Sequence, residues 1–159
     1  MKQRQTGFSL IELLIVVAII LIIAAIAIPN FLRAKISANE SSAVSSVHAI
    51  TTAEITYTTM YPAIGFSAHL TDLGQGATPP CPVTSTAACF IDTALANGTK
   101  SGYTFTYAQD ATYTPSVGYT VTASPISPGI TGQRGFFADQ SNVIRAAPTA
   151  PATVNSNPL

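Results

Sequence analysis

The sequence predicts an α+β protein in which a long N-terminal α-helix packs on a small antiparallel sheet of about four strands. Three observations predict this fold class: an apolar run over residues 8–28, a helical periodicity that continues to about Tyr61, and alternating strand patterns after residue 102. The 159 residues suffice for one domain with an accessory element. Charged residues make up only 9% of the chain and cancel to a net charge of zero. Because no basic excess exists, we expect no nucleic-acid partner.

The apolar run at residues 8–28 holds 21 residues, and Glu12 is its only charged side chain. A helix of this length measures about 31 Å, which is enough to cross the hydrocarbon core of a bilayer. Lys2 and Arg4 precede the run and favour a cytoplasmic N-terminus. A cleaved secretory signal would explain the position of the run, since residues 25–27 read Ala-Ile-Ala, and a plain membrane anchor would explain its length. Neither alternative explains a carboxylate near its start.

Beyond Pro29 the helical pattern continues to about Tyr61. Apolar residues recur at steps of three, four and seven on one face, and Glu40 and Glu54 fall on the same stripe. Five threonines between residues 51 and 59 are mediocre helix formers. We therefore expect packing against a sheet to hold this half of the helix, and Pro62 to end it.

Residues 62–102 read as a connecting region that contains both cysteines of the chain, Cys81 and Cys89. An even cysteine count in an exported protein favours a disulfide, although two unpaired thiols remain an alternative. No His, Asp or further Cys lies nearby with ligand spacing, so we expect no metal site there. Residues 86–96 could form a short helix, with Gly98 as its C-terminal cap.

Strand patterns appear only in the last third of the chain. Residues 103–107 and 119–123 alternate Tyr, Phe, Val or Ala with Thr, and two further short runs, 135–138 and 143–145, flank a polar turn at 139–142. We expect four antiparallel strands, one face of which lies on the helix. Residues 147–159 contain three prolines and no periodicity, so we expect a flexible tail.

The first 35 residues resemble the type IV pilin and pseudopilin family. The residues that carry the resemblance are Gly7-Phe8-Ser9-Leu10-Ile11-Glu12, the apolar run and Pro29. The resemblance implies that a prepilin peptidase cuts between Gly7 and Phe8 and methylates the new amine of Phe8. Gly7 suits the cut because it has no side chain and lets a protease take the backbone in extended form.

The resemblance also implies the roles of Glu12 and Pro29 in assembly. A carboxylate in an apolar helix costs a few kcal/mol to insert and needs a partner, which in this family is the N-terminal amine of a neighbouring subunit. Pro29 removes a backbone donor and crowds the carbonyl of Ala25, which kinks or loosens the helix. Many family members have a glycine midway along the apolar segment, whereas Leu21 and its neighbours are bulky aliphatics. This departure bears on how far the helix melts near Pro29 during assembly.

Four segments follow from these expectations. Residues 1–7 are a leader peptide, 8–35 a transmembrane and assembly helix, 36–146 a globular domain and 147–159 the flexible tail. The implied partners are copies of the chain in a helical filament, a prepilin peptidase with inner-membrane assembly machinery, and the membrane before assembly. The expected localisation is the inner membrane for the precursor and then an extracellular filament.

The expected function is that of a structural filament subunit without a cofactor or a metal. An anchored enzyme is disfavoured because His48 and His69 fall in different elements and no HExxH, GxSxG or P-loop pattern occurs. The turn at 139–142 offers one carboxylate, which would make a weak calcium site. Two alternatives remain: a pseudopilin of a type II secretion system, which the absence of an Asp/Gly-rich C-terminal loop disfavours, and a monomeric membrane-tethered binding domain.

Overall fold

The computed structural model describes residues 8–76, 81 and 83–159 of the chain. These residues fall into two compact units, one that ends at Lys35 and one that runs from Ile36 to Leu159. The helix α1, Leu10–Met60, contributes to both units. It begins and ends within two residues of the predicted limits.

In the first unit, α1 exposes nearly all of its side chains. From Leu10 to Leu32 the large aliphatic side chains are about half to four-fifths accessible to solvent, and α1 contains no glycine. By length and composition this part of the helix is able to cross a membrane. The residues on both sides of Pro29 are helical, so its missing N–H does not end the helix.

In the second unit, the other half of α1 packs on the sheet with the face that the sequence predicted. Ala43, Val47, Ile50 and Tyr57 are buried together with the two acidic residues of the stripe. Short elements follow the helix: a 3₁₀ helix at Leu70–Leu73 and the helix α2 at Thr93–Ala96. The predicted helix over residues 86–96 is thus mostly wrong, because Cys89 adopts a left-handed φ of 61° and Asp92 caps α2 by accepting a hydrogen bond from Leu95 N at 3.0 Å.

The sheet has six antiparallel strands in sequence order, two more than the expected four. They are β1 (Thr99–Lys100), β2 (Tyr103–Gln109), β3 (Tyr119–Pro125), β4 (Gly135–Asp139), β5 (Arg145–Ala147) and β6 (Asn157–Pro158). The added strands are the two edges, and each has two residues, which is too short for an alternating pattern to show in the sequence. The strands predicted at 103–107, 119–123 and 135–138 are confirmed as β2, β3 and β4. The fourth was predicted at 143–145, but β5 begins at Arg145, so prediction and structure share only that residue.

The two faces of the sheet are covered differently. Val121, Phe136 and Ala138 share the hydrophobic core with α1. On the opposite face, a Cβ at Gly135 would lie 3.0 Å from Cα of Ala150, so the C-terminal residues pack directly on β4. The residues expected to form a flexible tail, 147–159, differ from that expectation: Ala152 is buried, and β6 pairs with β5.

Candidate assembly site on the N-terminal helix

The start of α1 is organised by Glu12. Its Oε2 accepts a hydrogen bond from the backbone N–H of Ser9 at 3.0 Å, and Leu13 N donates to Ser9 O at 3.2 Å. Ser9 is therefore the N-cap residue, and Glu12 makes the return half of a capping box three positions later. This bond uses one carboxylate oxygen and one of the amide donors that a helix start leaves unsatisfied.

Glu12 has no cationic partner among the described residues. Within the described ranges no Lys, Arg or His lies at ion-pair distance from it, and the surrounding side chains of the helix are aliphatic. An exposed apolar surface of this extent marks a membrane-contacting or protein-contacting region. When such a surface becomes covered, a carboxylate on it loses contact with water and needs a positively charged or hydrogen-bonding partner.

The other predicted N-terminal residues are spread along the chain. Phe8 is 80% exposed beside the helix start, whereas Gly7 lies outside the described residues. Pro29 follows Glu12 by 17 residues on the same helix, which is about 26 Å along the axis. Phe8 and Glu12 are only four residues apart at the start of the helix, whereas Pro29 lies far along it. Of the described residues, these three therefore form no single pocket within one chain.

Glu40 binds a loop of the second unit to α1. Its Oε1 accepts from the backbone N–H groups of Gln133 at 3.0 Å and Arg134 at 3.2 Å, and its Oε2 accepts from Arg134 Nε at 2.8 Å. Burial alone would raise the pKa of Glu40, but these hydrogen bonds and the guanidinium outweigh it and hold the pKa below its ordinary value. Asn39 adds a bond from Nδ2 to Thr131 O at 2.8 Å.

Glu54 is the second buried carboxylate of the same helix face, and no Lys, Arg or His of the described residues forms an ion pair with it. It is fully buried, and both of its oxygens accept hydrogen bonds from Ser67, from the backbone N–H at 3.1 Å and from the hydroxyl at 2.5 Å. The Tyr107 hydroxyl completes the cluster by donating to Ser67 O at 2.9 Å. Burial raises the pKa of Glu54, and the bonds from Ser67 offset only part of that effect.

The cysteine pair forms the predicted disulfide. Cys81 and Cys89 are joined, with their Cα atoms 6.4 Å apart. Within the loop they close, Ser85 O accepts a hydrogen bond from the hydroxyl of buried Tyr57 at 2.7 Å. The disulfide therefore restrains a loop that is bonded directly to the core face of α1.

The described residues that were candidates for catalysis or metal binding lie in different elements of the fold. His48 lies on α1, and His69 precedes the 3₁₀ helix with a ring nitrogen 3.6 Å from Asp72. In the turn at 139–142, Asp139 Oδ1 accepts from the Ser141 backbone N–H at 2.9 Å, as expected of a turn. Across the described residues no group of three or more His, Cys, Asp or Glu side chains is arranged to hold a metal ion.

Comparison with known proteins finds similarity concentrated at the N-terminus. Residues 2–28 match the family model described as the prokaryotic N-terminal methylation motif. The type IV major pilin protein PilA of Myxococcus xanthus is 51% identical over 53 residues, which are 33% of this chain and 24% of that pilin. The type IV wide pilus major component PilA4 of Thermus thermophilus is 56% identical over 39 residues, or 24% of this chain and 30% of that protein.

A secretion protein is also similar to the chain. The type II secretion system core protein G of Aeromonas hydrophila is 39% identical over 49 residues, which are 31% of this chain and 34% of that protein. The chain therefore spans about a third or less of the length of these curated relatives. No solved structure gives a significant match.

Proposed function

We propose that the chain is a structural subunit of an extracellular type IV pilus-like filament, because residues 2–28 match the N-terminal methylation motif and its N-terminal third is similar to a type IV pilin and to a type II secretion protein. The observation that carries the proposal is the helix surface from Leu10 to Leu32, which is apolar, exposed and interrupted by a single carboxylate at Glu12. Such a surface requires cover from lipid or from protein. In this proposal lipid covers it first and copies of the same helix cover it later.

Processing prepares the helix for assembly. A prepilin peptidase removes residues 1–7 and methylates the amine of Phe8, and the match to the methylation motif over residues 2–28 spans this cut. The first described residue, Phe8, lies exposed beside the helix start, where a new amine would be accessible. The mature chain then begins four residues before Glu12.

Glu12 sets the axial register between neighbouring subunits. Its Oε2 already bonds Ser9 N, and the carboxylate retains acceptor capacity for the positively charged amine of Phe8 in the next subunit. Inside a dry helical bundle, a neighbour shifted along the axis would leave both charges buried and unpaired. The apolar packing supplies the driving free energy, and the ion pair selects one alignment.

Pro29 gives the same helix a site of weakened backbone hydrogen bonding. It donates no N–H to the carbonyl of Ala25, so helix strain during packing concentrates there. In this proposal the globular domain, which begins at Ile36 and includes the packed C-terminal residues to Leu159, forms the outer surface of the filament. The precursor resides in the inner membrane, with Lys2 and Arg4 on the cytoplasmic side.

A pseudopilin of a type II secretion system is the second candidate. The similarity to core protein G of Aeromonas hydrophila favours it specifically. Electron microscopy of material sheared from cells, with mass spectrometry of the same fraction, separates the candidates. Long surface filaments that contain this chain support the pilus. Loss of protein secretion on deletion of the chain, without such filaments, supports the pseudopilin. If neither filaments nor a secretion defect is observed, the tethered monomeric domain is supported.

Replacement of Glu12 by Ala tests the register argument. We expect the variant to be processed and to enter the membrane, but to yield few filaments because the amine of Phe8 loses its partner. Ile11→Ala is the matched control, because it removes a similar volume from the adjacent exposed position without changing charge. Normal filament yield from Glu12→Ala would contradict the proposed role of this residue.

A further inference from the structure

A groove lies just after the C-terminal end of α1, between two loops that are hydrogen-bonded to each other. Two loops meet there, residues 61–68 after the helix and residues 109–118 between β2 and β3. They are joined by paired backbone bonds, Ser116 N to Ile64 O at 2.9 Å and Phe66 N to Ser116 O at 3.4 Å. Gln109 adds a bond from Nε2 to Phe66 O at 2.6 Å. The groove between the loops has a volume of about 280 Å³.

The groove is held rigidly by Gly65 and Ser116. Gly65 has a φ of 82°, and a Cβ at this position would lie 2.1 Å from Ser116 O. The Ser116 hydroxyl donates to Asp110 O at 2.8 Å or Gly118 O at 3.1 Å, both in its own loop. The backbones of the two loops therefore approach so closely at Gly65 that no side chain fits between them. The lining of the groove is pre-organised by this contact, which lowers the entropic cost of ligand binding.

Tyr113 on the rim of this groove differs from the other tyrosines. All six tyrosines lie in the described part of the chain, and the other five are buried or half-buried at the core. Tyr113 alone is exposed, at 63%. It therefore presents an aromatic face to solvent beside a preformed cavity, which is the arrangement of a recognition residue.

The chemistry of the lining selects an uncharged, hydroxylated ligand. The groove is lined by alanines and Ile64 together with the amide of Gln109 and the hydroxyls of Thr114 and Ser116, and none of its lining residues is charged. Gln109 uses its amide N–H for Phe66 O, so its carbonyl oxygen remains available as an acceptor. A volume of about 280 Å³ accommodates one ring of a sugar.

We propose that this groove binds one ring of a neutral saccharide, with the C–H face of the sugar stacked on Tyr113. The weakly positive C–H groups of a pyranose face meet the negative face of the aromatic ring, and its hydroxyls bond Gln109 and Thr114. A single shallow site of this kind binds weakly. Its use in adhesion rests on the proposed function, since repetition of the site along a filament would raise the avidity by orders of magnitude.

The binding step is tested on the full-length chain, so that it does not depend on filament formation. The protein is held in micelles of a phosphocholine detergent, which contains no sugar. Saturation-transfer difference NMR is recorded with lactose, N-acetylglucosamine, glucose and, as an anionic comparison, N-acetylneuraminic acid. We expect saturation of the C–H protons on one face of at least one neutral sugar, and a weaker signal for the anionic one.

Two variants and a control locate the binding. Tyr113→Ala should lower the saturation transfer about tenfold, the loss expected for one stacking contact. Tyr113→Phe should retain it within about twofold, because the ring face is kept. Ile130→Ala, at another exposed apolar position, should have no effect. Because Tyr113 and Ile130 are both exposed, we expect all three variants to fold.

Three results would overturn the proposal: no transfer to any neutral sugar, equal transfer in Tyr113→Ala and the wild type, or stronger transfer to the anionic sugar. Filament yield of Tyr113→Ala cells is measured in parallel, and we expect it to be normal. Lost filaments together with absent sugar binding would assign the groove to a contact between copies of the chain. Sugar binding without any filaments would instead leave the groove intact and contradict the proposed function.

Discussion

Replacing each of the two buried carboxylates of α1 by an amide should change the free energy of unfolding differently at the two positions. Glu40 and Glu54 lie on the same helix face, and each becomes an isosteric amide on replacement by Gln. Glu40 faces a guanidinium and two backbone N–H groups, whereas both oxygens of Glu54 face Ser67. The loss of charge should therefore destabilise the domain at one position and not at the other.

The expected cost of Glu40→Gln follows from its hydrogen bonds. The amide oxygen can keep the two backbone donors, but the amide NH₂ then faces Arg134 Nε, a donor against a donor. A hydrogen bond between charged groups contributes about 1.5–3 kcal/mol. Because the Arg134 side chain is half-exposed and screened by water, we expect a decrease of about 2 kcal/mol in the free energy of unfolding at pH 7.

Glu54→Gln should leave the free energy of unfolding at pH 7 unchanged or raise it by about 1 kcal/mol. The amide can accept from Ser67 N and donate to Ser67 Oγ, so both bonds persist while the cost of burying a charge disappears. This gain should depend on pH. Since burial raises the pKa of Glu54 above its ordinary 4.5, the wild type loses stability relative to the variant as pH rises above about 4.5.

For Glu40 the pH dependence has the opposite sign. Its pKa is lowered in the folded protein, so its contribution is present above the ordinary value of 4.5 and is lost as pH falls through the lowered pKa. The assay is urea unfolding of the full-length chain in detergent micelles, followed by near-UV circular dichroism of the buried tyrosines, at several pH values. Equal destabilisation by both substitutions at pH 7 would refute the reasoning.

Two further predictions concern the loop and the C-terminal segment. Cys81→Ser combined with Cys89→Ser should lower the free energy of unfolding by about 2–3 kcal/mol, the entropy that so short a closed loop removes from the unfolded chain. The same urea assay, run with and without reductant, measures this loss, and a further effect of reductant on the double variant would contradict it. Gly135→Val should displace Ala150 from β4 and hasten proteolysis of residues 148–156, whereas Gly118→Ala, whose Cβ meets only ordinary contacts of 3.4 Å, should not.

The helix and the longer strands were predictable from the sequence because their signals are periodic. The face of α1 that packs on the sheet repeats over about five helical turns, from Glu40 to Tyr57. Pro62 follows the observed end of the helix at Met60 by two residues. In β2 and β3 the alternation of Thr with Tyr, Phe, Val or Ala marks the buried face. Local pattern and tertiary packing agree in these elements, which is why pattern alone sufficed.

The two edge strands and the C-terminal segment were not predictable from the sequence pattern. β1 and β6 have two residues each, and Pro158 in β6 normally argues against a strand. The C-terminal segment is ordered by packing on Gly135, a long-range contact that leaves no local signal in residues 147–159. Long-range contacts of this kind decide structure where propensity is weak.

At the candidate sites, the sequence indicated which residues were unusual but not what they contact. Glu12 stood out as a carboxylate among aliphatic residues, and its bond to Ser9 N follows from the capping-box spacing of three. Glu40 and Glu54 were visible as charges on an apolar stripe, yet their partners lie far away in sequence, at Arg134 and Ser67. The groove beside Tyr113 was not predicted, because it is formed by two loops that only the fold brings together.

The most direct test of the central claim is mass spectrometry of the N-terminal peptide of this chain in filaments sheared from the cell surface. We predict that the chain is present in the filament fraction and that its first residue is Phe8 with a methylated amine. A chain found only in the membrane fraction, with residues 1–7 still attached, would contradict the account.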